Sequence, residues 1–532
     1  MKRVWLVLVL MLSLILLGCT QQVTQPSTPH QPDNVTEKTD FQTFTSEREL
    51  REYIQNARFP RYGFFGVGLM EVGMVRSDVA GFGEKGVAVT PTPVPVPTPG
   101  RYSGTNVQVV GIDEPDIVKT DGANIYLSNW MYPIRFIPEI GRETEIIAAY
   151  PPDKLEKLYK IDDSGNLLLF GDVLIVISRD HISAYDVSAK PEKLWKIDLD
   201  SHFVSARLYN DSIYLITRKE LDYYSPCPIK PLEINGKPLV VECKDIYHPV
   251  PPVYADTTYF VMKIDPESGE VEKSISFVGS LGQSVVYMSR NAIYVTYYKT
   301  PDQVKLMYDF LKQNRDLVSD EVIERIEKLL DYELSNQAKA VEIQVIIQQY
   351  ASSLDKDERK KFENELWNRL EEYRKEHKRE LEKTQIVKIS LDLKAEAIGE
   401  VPGRLLNQFS LDEYNGYLRV ATTVSDANDL YVLDGKMDVA GSILNFGEDE
   451  RIYSVRFIGD NAYVVTFRET DPFFVMDLSD PRNPKMEGKL KIPGYSSYLH
   501  PLKDDLILGI GKEGRNVKIS IFDVSNPKKP EE

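Results

Sequence analysis

Residues 451–484 read RIYSVRFIGDNAYVVTFRETDPFFVMDLSDPRNP, and this stretch decides the fold. Two runs with strong β preference, 461–467 and 473–478, are joined by Glu469-Thr470-Asp471-Pro472. The second run is stopped by Ser479-Asp480-Pro481, because proline has no amide hydrogen to give to a strand ladder.

The pattern recurs along the chain. Polar turns leading into apolar strands stand at Asp121-Gly122, Gly171-Asp172, Asn210-Asp211, Arg290-Asn291, Asn415-Gly416, Asp460-Asn461 and Asp504-Asp505. The downstream half repeats as Ala184-Tyr185-Asp186-Val187-Ser188, Val475-Met476-Asp477-Leu478-Ser479 and Ile521-Phe522-Asp523-Val524-Ser525, each followed by proline. Lys263-Ile264-Asp265-Pro266 and Tyr431-Val432-Leu433-Asp434-Gly435 are looser copies. A unit of about 45 residues holding four short strands is a propeller blade. The expected fold is all-β: a β-propeller with about seven readable four-stranded blades, eight or an incomplete ring being the alternatives, and an inserted α-helical bundle. A two-sheet sandwich offers no reason for so regular a period.

Two long steps in the repeat hold insertions. The first, residues 221–253, carries Cys227, Cys243 and many prolines, and loops of this length are often functional. The second, residues 301–383, is helical. Leu366, Leu370, Tyr373, His377 and Leu381 fall on one stripe, and Val322, Ile326, Leu329 and Leu330 on another. Residues 338–350 form a third, more apolar segment. Each stripe needs a partner, so a small bundle standing on the propeller is expected, either covering itself or offering a docking groove. The propeller then occupies residues 101–300 and 384–532.

The N-terminus reads as an export signal. Lys2 and Arg3 precede the apolar run 4–17, too short for a comfortable membrane span of about 20 residues. Leu16-Leu17-Gly18-Cys19 has the form of a lipobox, with lipidation expected on Cys19; an ordinary signal peptide or uncleaved anchor is the alternative. Residues 20–100 read as a tether. Within it, residues 46–56 suit a short helix with Leu50, Tyr53 and Ile54 on one side, and the alternating prolines of 90–100 favour an extended spacer.

An exported chain with Cys227 and Cys243 left over is expected to join them in a disulfide, two ligands of a metal site being the alternative. The six histidines are scattered without zinc-type spacing. The formal charge is −17, and two units more negative without Lys2 and Arg3, so the surface repels nucleic-acid phosphates.

Longer segments carry a resemblance. They are Tyr102-Ser103-Gly104-Thr105-Asn106-Val107-Gln108 with Gly111-Ile112-Asp113-Glu114, Asp116-Ile117-Val118-Lys119-Thr120-Asp121-Gly122, and Leu406-Asn407-Gln408-Phe409-Ser410-Leu411-Asp412-Glu413. With them go Arg419-Val420-Ala421-Thr422-Thr423, Ile452-Tyr453-Ser454-Val455-Arg456-Phe457, Thr466-Phe467-Arg468, Asp471-Pro472 and Tyr498-Leu499-His500-Pro501. Over residues 102–527 the chain resembles a family of secreted bacterial and archaeal β-propeller proteins distantly related to WD-repeat propellers. The resemblance implies a propeller outside the cell and brings no established activity. Members of that family are expected to run beyond a point like Pro530 with further blade-like segments. Either residues 105–110 close the last blade from the N-terminal side, or the chain is incomplete.

Few residue sets suggest chemistry. Asp113, Glu114, Asp116 and Asp121 are close in sequence and of the type that binds calcium, which takes six to eight oxygens; turn or blade closure would use them equally well. His500, Arg456, Arg468 and Asp471 offer the types needed for acid–base catalysis or an anion clamp, or for tying blades together. Gly509-Ile510-Gly511-Lys512-Glu513-Gly514 matches GxGxxG, yet a strand rather than a helix follows it, so a hairpin is expected. No cofactor is expected, calcium being the one alternative. The reading is an exported, membrane-tethered binding or scaffold protein at the cell surface, held by lipid or an N-terminal anchor and meeting a protein or other surface partner. The alternatives are an extracellular hydrolase-type enzyme using funnel residues and a solute or metal receptor.

Overall fold

The computed structural model describes residues 41–56, 107–129, 142–250, 252–299, 301–467, 471–503 and 505–532. Cys19, the proline-rich spacer 90–100 and Arg468 lie outside them.

Seven sheets follow one another along the described chain, each built on antiparallel neighbours in sequence order. Their first strands are Val118–Thr120, Asn166–Phe170, His202–Tyr209, Val286–Met288, Leu411–Tyr414, Arg451–Ile458 and Tyr495–Lys503. The first six polar turns read from the sequence each join a first strand to a second, and Asp505 stands between the first and second strands of the seventh blade. This is a β-propeller, with seven blades among the described residues, six of them carrying four meander strands. The seventh has three, and Glu531 opens its outermost position by exchanging backbone hydrogen bonds of 2.8 and 3.0 Å with Asp523.

The alternation of side chains along a strand explains why the blades stack. On the sixth blade, Phe474 and Met476 pack with Leu430 and Val432 of the fifth. Phe473 and Val475, on its other face, pack with Leu499, Ile507 and Phe522 of the seventh. The recurring aspartate has a local role. Asp186, Asp265, Asp434, Asp477 and Asp523 each accept the backbone N–H two residues on, fixing the turn from third to fourth strand.

The helical insertion replaces a hairpin turn of the fourth blade, where Lys299 and Lys383 face each other in register. Its helices are α2 (Gln303–Gln313), α3 (Asp320–Leu330), α4 (Asn336–Ser353), α5 (Lys356–Glu376) and the short α6 (Lys378–Leu381), α1 being Glu47–Asn56 near the N-terminus. Asp302, Ser335 and Asp355 cap the starts of α2, α4 and α5. Met307, Phe310, Ile326, Ile343, Ile347, Leu366 and Leu370 close a core of their own. The stripe expected on α5 is buried at Leu366, Leu370 and Tyr373 and starts one turn earlier, at Phe362, whereas His377 is the C-cap.

One expectation is corrected. Residues 41–56 are not part of a free tether: Phe41–Thr43 pairs with Ile246–Pro249, and Leu50, Tyr53 and Ile54 of α1 are buried beside Cys227, Ile229 and Val241. The first insertion is an edge cover. Leu232–Ile234 extends the second blade beside Glu192–Leu199, and Ile246–Pro249 runs parallel to the third blade's outer strand. Cys227 and Cys243 are joined in a disulfide with their Cα atoms 5.5 Å apart.

Candidate functional site

The segment 107–117 enters before the first blade and runs across the first strands of the others. Val107 O accepts from Arg456 of the sixth blade at 3.1 Å. Gln108 donates to Gln408 O and Leu411 O at the fifth, at 3.0 and 3.1 Å. Arg290 of the fourth donates to Val110 O at 2.7 Å. Asp113 bridges to Leu208 on the third blade and Asp116 to Leu167 on the second. The segment is a strap threaded past five blades, and those blades' first strands are therefore the inner ones. Val107–Val110 does not close the seventh blade from the N-terminal side, the position that Glu531 opens.

One row of inner-strand residues supplies the strap's partners Lys119, Arg207 and Arg456. In each blade the residue paired with the third position of the second strand is equivalent: Lys119, Leu168, Arg207, Tyr287, Asp412, Arg456 and His500. Six of the seven are polar, and Lys119, Arg207, Arg456 and His500 are buried. Lys119 Nζ donates to Asp113 at 2.7 Å, Arg207 lies 3.3 Å from Glu114, and Arg419 donates to Asp412 at 3.0 Å. Burial lowers the pKa of the Arg207 guanidinium, opposed by the charge of Glu114.

The four carboxylates named as the alternative calcium set are each engaged in other contacts. Asp113 and Glu114 form the ion pairs just described. Asp116 accepts the N–H of Ile117 at 2.7 Å. Asp121 sits in the first turn and accepts from Ala123 N, Asn124 N, Asn124 Nδ2 and Tyr126 Oη. Burial works to raise the Asp121 pKa, and those hydrogen bonds outweigh it and hold it low. Among the described residues no group of three or more His, Cys, Asp or Glu could hold a metal ion. These side chains serve turn and strap closure.

The acid–base set is divided. Arg456 and His500 come together from adjacent inner strands, and the Arg456 charge adds to burial in lowering the His500 pKa. Tyr498 Oη lies 3.3 Å from His500 Nδ1, and the Arg456 guanidinium sits 5.7 Å from the centre of the Phe409 ring. Asp471 begins the sixth blade's third strand, four positions from Val475, which stands in the row of Arg456. At about 3.3 Å per residue that is about 13 Å along the strand, at the other end of the blade. Arg456 holds the strap at Val107 O, and Asp471 does not join the pair. Residues 509–514 lie in the hairpin between Leu506–Glu513 and Asn516–Asp523, as the sequence predicts.

The basic partners Lys119, Arg207, Arg290 and Arg419 were not singled out in the sequence. The signal was available: Arg207 and Arg456 are charges inside apolar runs, each three positions before a turn, at Asn210 and Gly459.

A profile of the family described as "Beta propeller domain" matches residues 102–532. An uncharacterised protein of Archaeoglobus fulgidus is 51% identical over 514 residues, covering 95% of this chain and 82% of that protein. An uncharacterised protein of Methanocaldococcus jannaschii is 42% identical over 452 residues, covering 82% of this chain and 69% of that one. Among solved structures, the chain is similar to Hsv2 from Kluyveromyces marxianus, with TM-score 0.33, 9% identity and coverage of 76% and 89%. It is also similar to BamB from Moraxella catarrhalis, with TM-score 0.28, 8% identity and coverage of 78% and 99%. With residues 102–532 matched and archaeal relatives this similar, the chain belongs to the Beta propeller domain family.

Proposed function

We propose that the protein is an exported, membrane-tethered propeller that binds a partner at the cell surface, with the helical insertion as its partner-facing element. The observation that carries this reading is how the insertion is fixed. Its last turn is clamped to the fifth blade through Lys378–Asp426 and Arg379–Asp429, both at 2.7–2.8 Å. A bundle held at its base and closed by its own core is a rigid projection, and it exposes Tyr332, Leu334 and Val341. Rigid elements that present apolar side chains suit protein recognition, because little ordering entropy is lost on contact. The strap supports the same reading, since it occupies the inner strands where a funnel ligand would sit. The lipobox-like Leu16-Leu17-Gly18-Cys19 supports the membrane tether.

The test closes the hairpin. Residues 300–382 are replaced by a tight turn joining Lys299 to Lys383, which already face each other. Membrane preparations from cells making either form are cross-linked, and the proteins recovered with the propeller are identified. A species captured by the full chain and lost from the closed form is the expected result. The same set from both forms rejects the insertion as the contact. Cys19→Ala is expected to move the chain from the membrane to the soluble fraction; retention in the membrane rejects the lipid tether.

A further inference from the structure

The helices of the insertion differ in surface chemistry. Helix α5 carries 14 charged side chains in 21 residues, whereas α4 carries two in 18, Lys339 and Glu342. On its inner side α4 buries Ala340, Ile343, Ile346, Ile347 and Ala351 in the bundle core. Its outer side carries a stripe without charge: Ala338, Val341, Val345, Gln348 and Ser352, at spacings of 3, 4, 3 and 4. That spacing keeps side chains on one face of a helix and is the one a facing helix fills. All but Val345 are exposed, Val341 at 53%, and Leu334, just before the helix, is exposed at 48%. Val345, Gln348 and Ser352 line an open groove with Arg359 of α5. The chain has a formal charge of −17, so a helix face this poor in charge calls for a partner.

The flanks of the stripe identify that partner. Glu342 and Gln349 are seven positions apart and stand on the same flank, one on either side of Val345. Gln349 Oε1 accepts from Arg325 of α3 at 2.9 Å, and neither Arg325 nor Glu342 has an ion pair among the described residues. We propose that α4 is a self-association surface, on which a second copy of this chain lays its own α4 antiparallel with Val345 at the two-fold axis. That axis sets Ala338 of each copy against Ser352 of the other, and Glu342 against Gln349 with its Arg325. Opposite charges then meet twice, whereas a parallel pair would set Glu342 against Glu342. The remaining negative charge of the two copies is screened beyond about 8 Å at physiological ionic strength. The inference rests on the insertion as the partner-facing element and names a second copy as what it meets.

Because Cys227 and Cys243 are joined, one cysteine placed on α4 of the full chain carrying Cys19→Ser is its single free thiol. With a short thiol cross-linker, Val345→Cys is expected to give a linked dimer. Ala338→Cys and Ser352→Cys stand about 21 Å apart along the helix. Neither is expected to link to itself, and the two are expected to link to each other when the forms are mixed. Self-linkage of both means a parallel pair and overturns the arrangement; no linkage at any position overturns the second copy. The Cys19→Ser chain is expected to sediment at twice the monomer mass, and Glu342→Arg to return it to the monomer by setting arginine against Arg325. Adding Arg325→Glu is expected to restore the dimer, and a double variant that keeps the parent's melting transition yet stays monomeric overturns the charge pairing. A monomeric parent chain overturns this inference alone. Hairpin closure that loses neither the dimer nor any captured protein overturns the reading on which it rests.

Discussion

Arg379 of α6 grips Asp429 of the fifth blade with both ends of its guanidinium, Nε and Nη2 each donating to a different carboxylate oxygen at 2.8 Å. Asp429 is fully buried and also accepts from Tyr431 Oη at 2.7 Å and Asn445 N at 2.9 Å. The bundle therefore interrupts the fourth blade in sequence but takes its seating from the fifth.

Removing the arginine strands a carboxylate whose remaining donors are neutral. Arg379→Ala is expected to cost about 3–5 kcal/mol, the range for breaking a buried pair from one side. Asp429→Ala should cost less than an additive sum when combined with it, because both changes delete the same contact. Denaturant unfolding of the full chain measures each. A single-variant loss below about 0.5 kcal/mol would mean that the grip adds nothing to the docking.

Blade spacing rests on glycines that the next blade covers. A Cβ on Gly441 would meet the Pro481 carbonyl, and one on Gly488 the Pro527 carbonyl. Gly441→Ala and Gly488→Ala are each expected to destabilise by about 1–3 kcal/mol through overpacking. Gly435→Ala is the control, since nothing lies within 4 Å of its Cβ position and its φ is not in the left-handed region. Equal thermal shifts for all three would refute the contact as the cause.

What could be read from the sequence was what local chemistry dictates. The seven inner turns announce themselves because Asn, Asp and Gly tolerate the backbone that a tight hairpin needs; Asn210, Asp211 and Asn415 all have positive φ. Helix α1 was legible from the spacing of Leu50, Tyr53 and Ile54. Its docking was not, because Phe41–Thr43 is three residues long and its partner strand lies some two hundred positions away. The strap was hidden for the same reason: Arg456 and Val107 are 349 positions apart, and no periodicity links them. The grouping of Asp471 with His500 failed on register, which a sequence without its sheet cannot supply.

Acid should weaken the fold in two stages. His248 stacks on Phe44 at 4.1 Å and His500 lies beside Arg456; burial lowers both pKa values from the ordinary 6.5. Below pH 6.5 the unfolded chain takes up these protons before the folded chain does, so stability present above that value is lost as pH falls. Asp265 and Asp477, held low by their serine and backbone hydrogen bonds, add a second loss that begins lower, near 3.8. Denaturation midpoints taken between pH 8 and pH 5 should decline, and His248→Phe together with His500→Phe should flatten that decline. A flat profile for the parent chain would show that neither imidazole is kept neutral by the fold.

The disulfide closes the insertion against which the N-terminal clasp, residues 41–56, is packed. Cys227 shares a core with Leu50, Tyr53 and Ile54 of α1, and the strand that follows Cys243 is the one that pairs with Phe41–Thr43. Tyr53 Oη also accepts the Val253 amide at 3.1 Å, at the far end of the same insertion. Closing a loop of this size contributes about 3 kcal/mol by restricting the unfolded chain. Cys227→Ala with Cys243→Ala should lower stability by about that amount. The effect should be local, with amides of 41–56 and 229–253 exchanging faster while the fifth to seventh blades keep their protection. Hydrogen exchange separates this from a general loosening: uniform acceleration in all blades, or unchanged exchange at 41–56, would mean that the clasp does not depend on the bond.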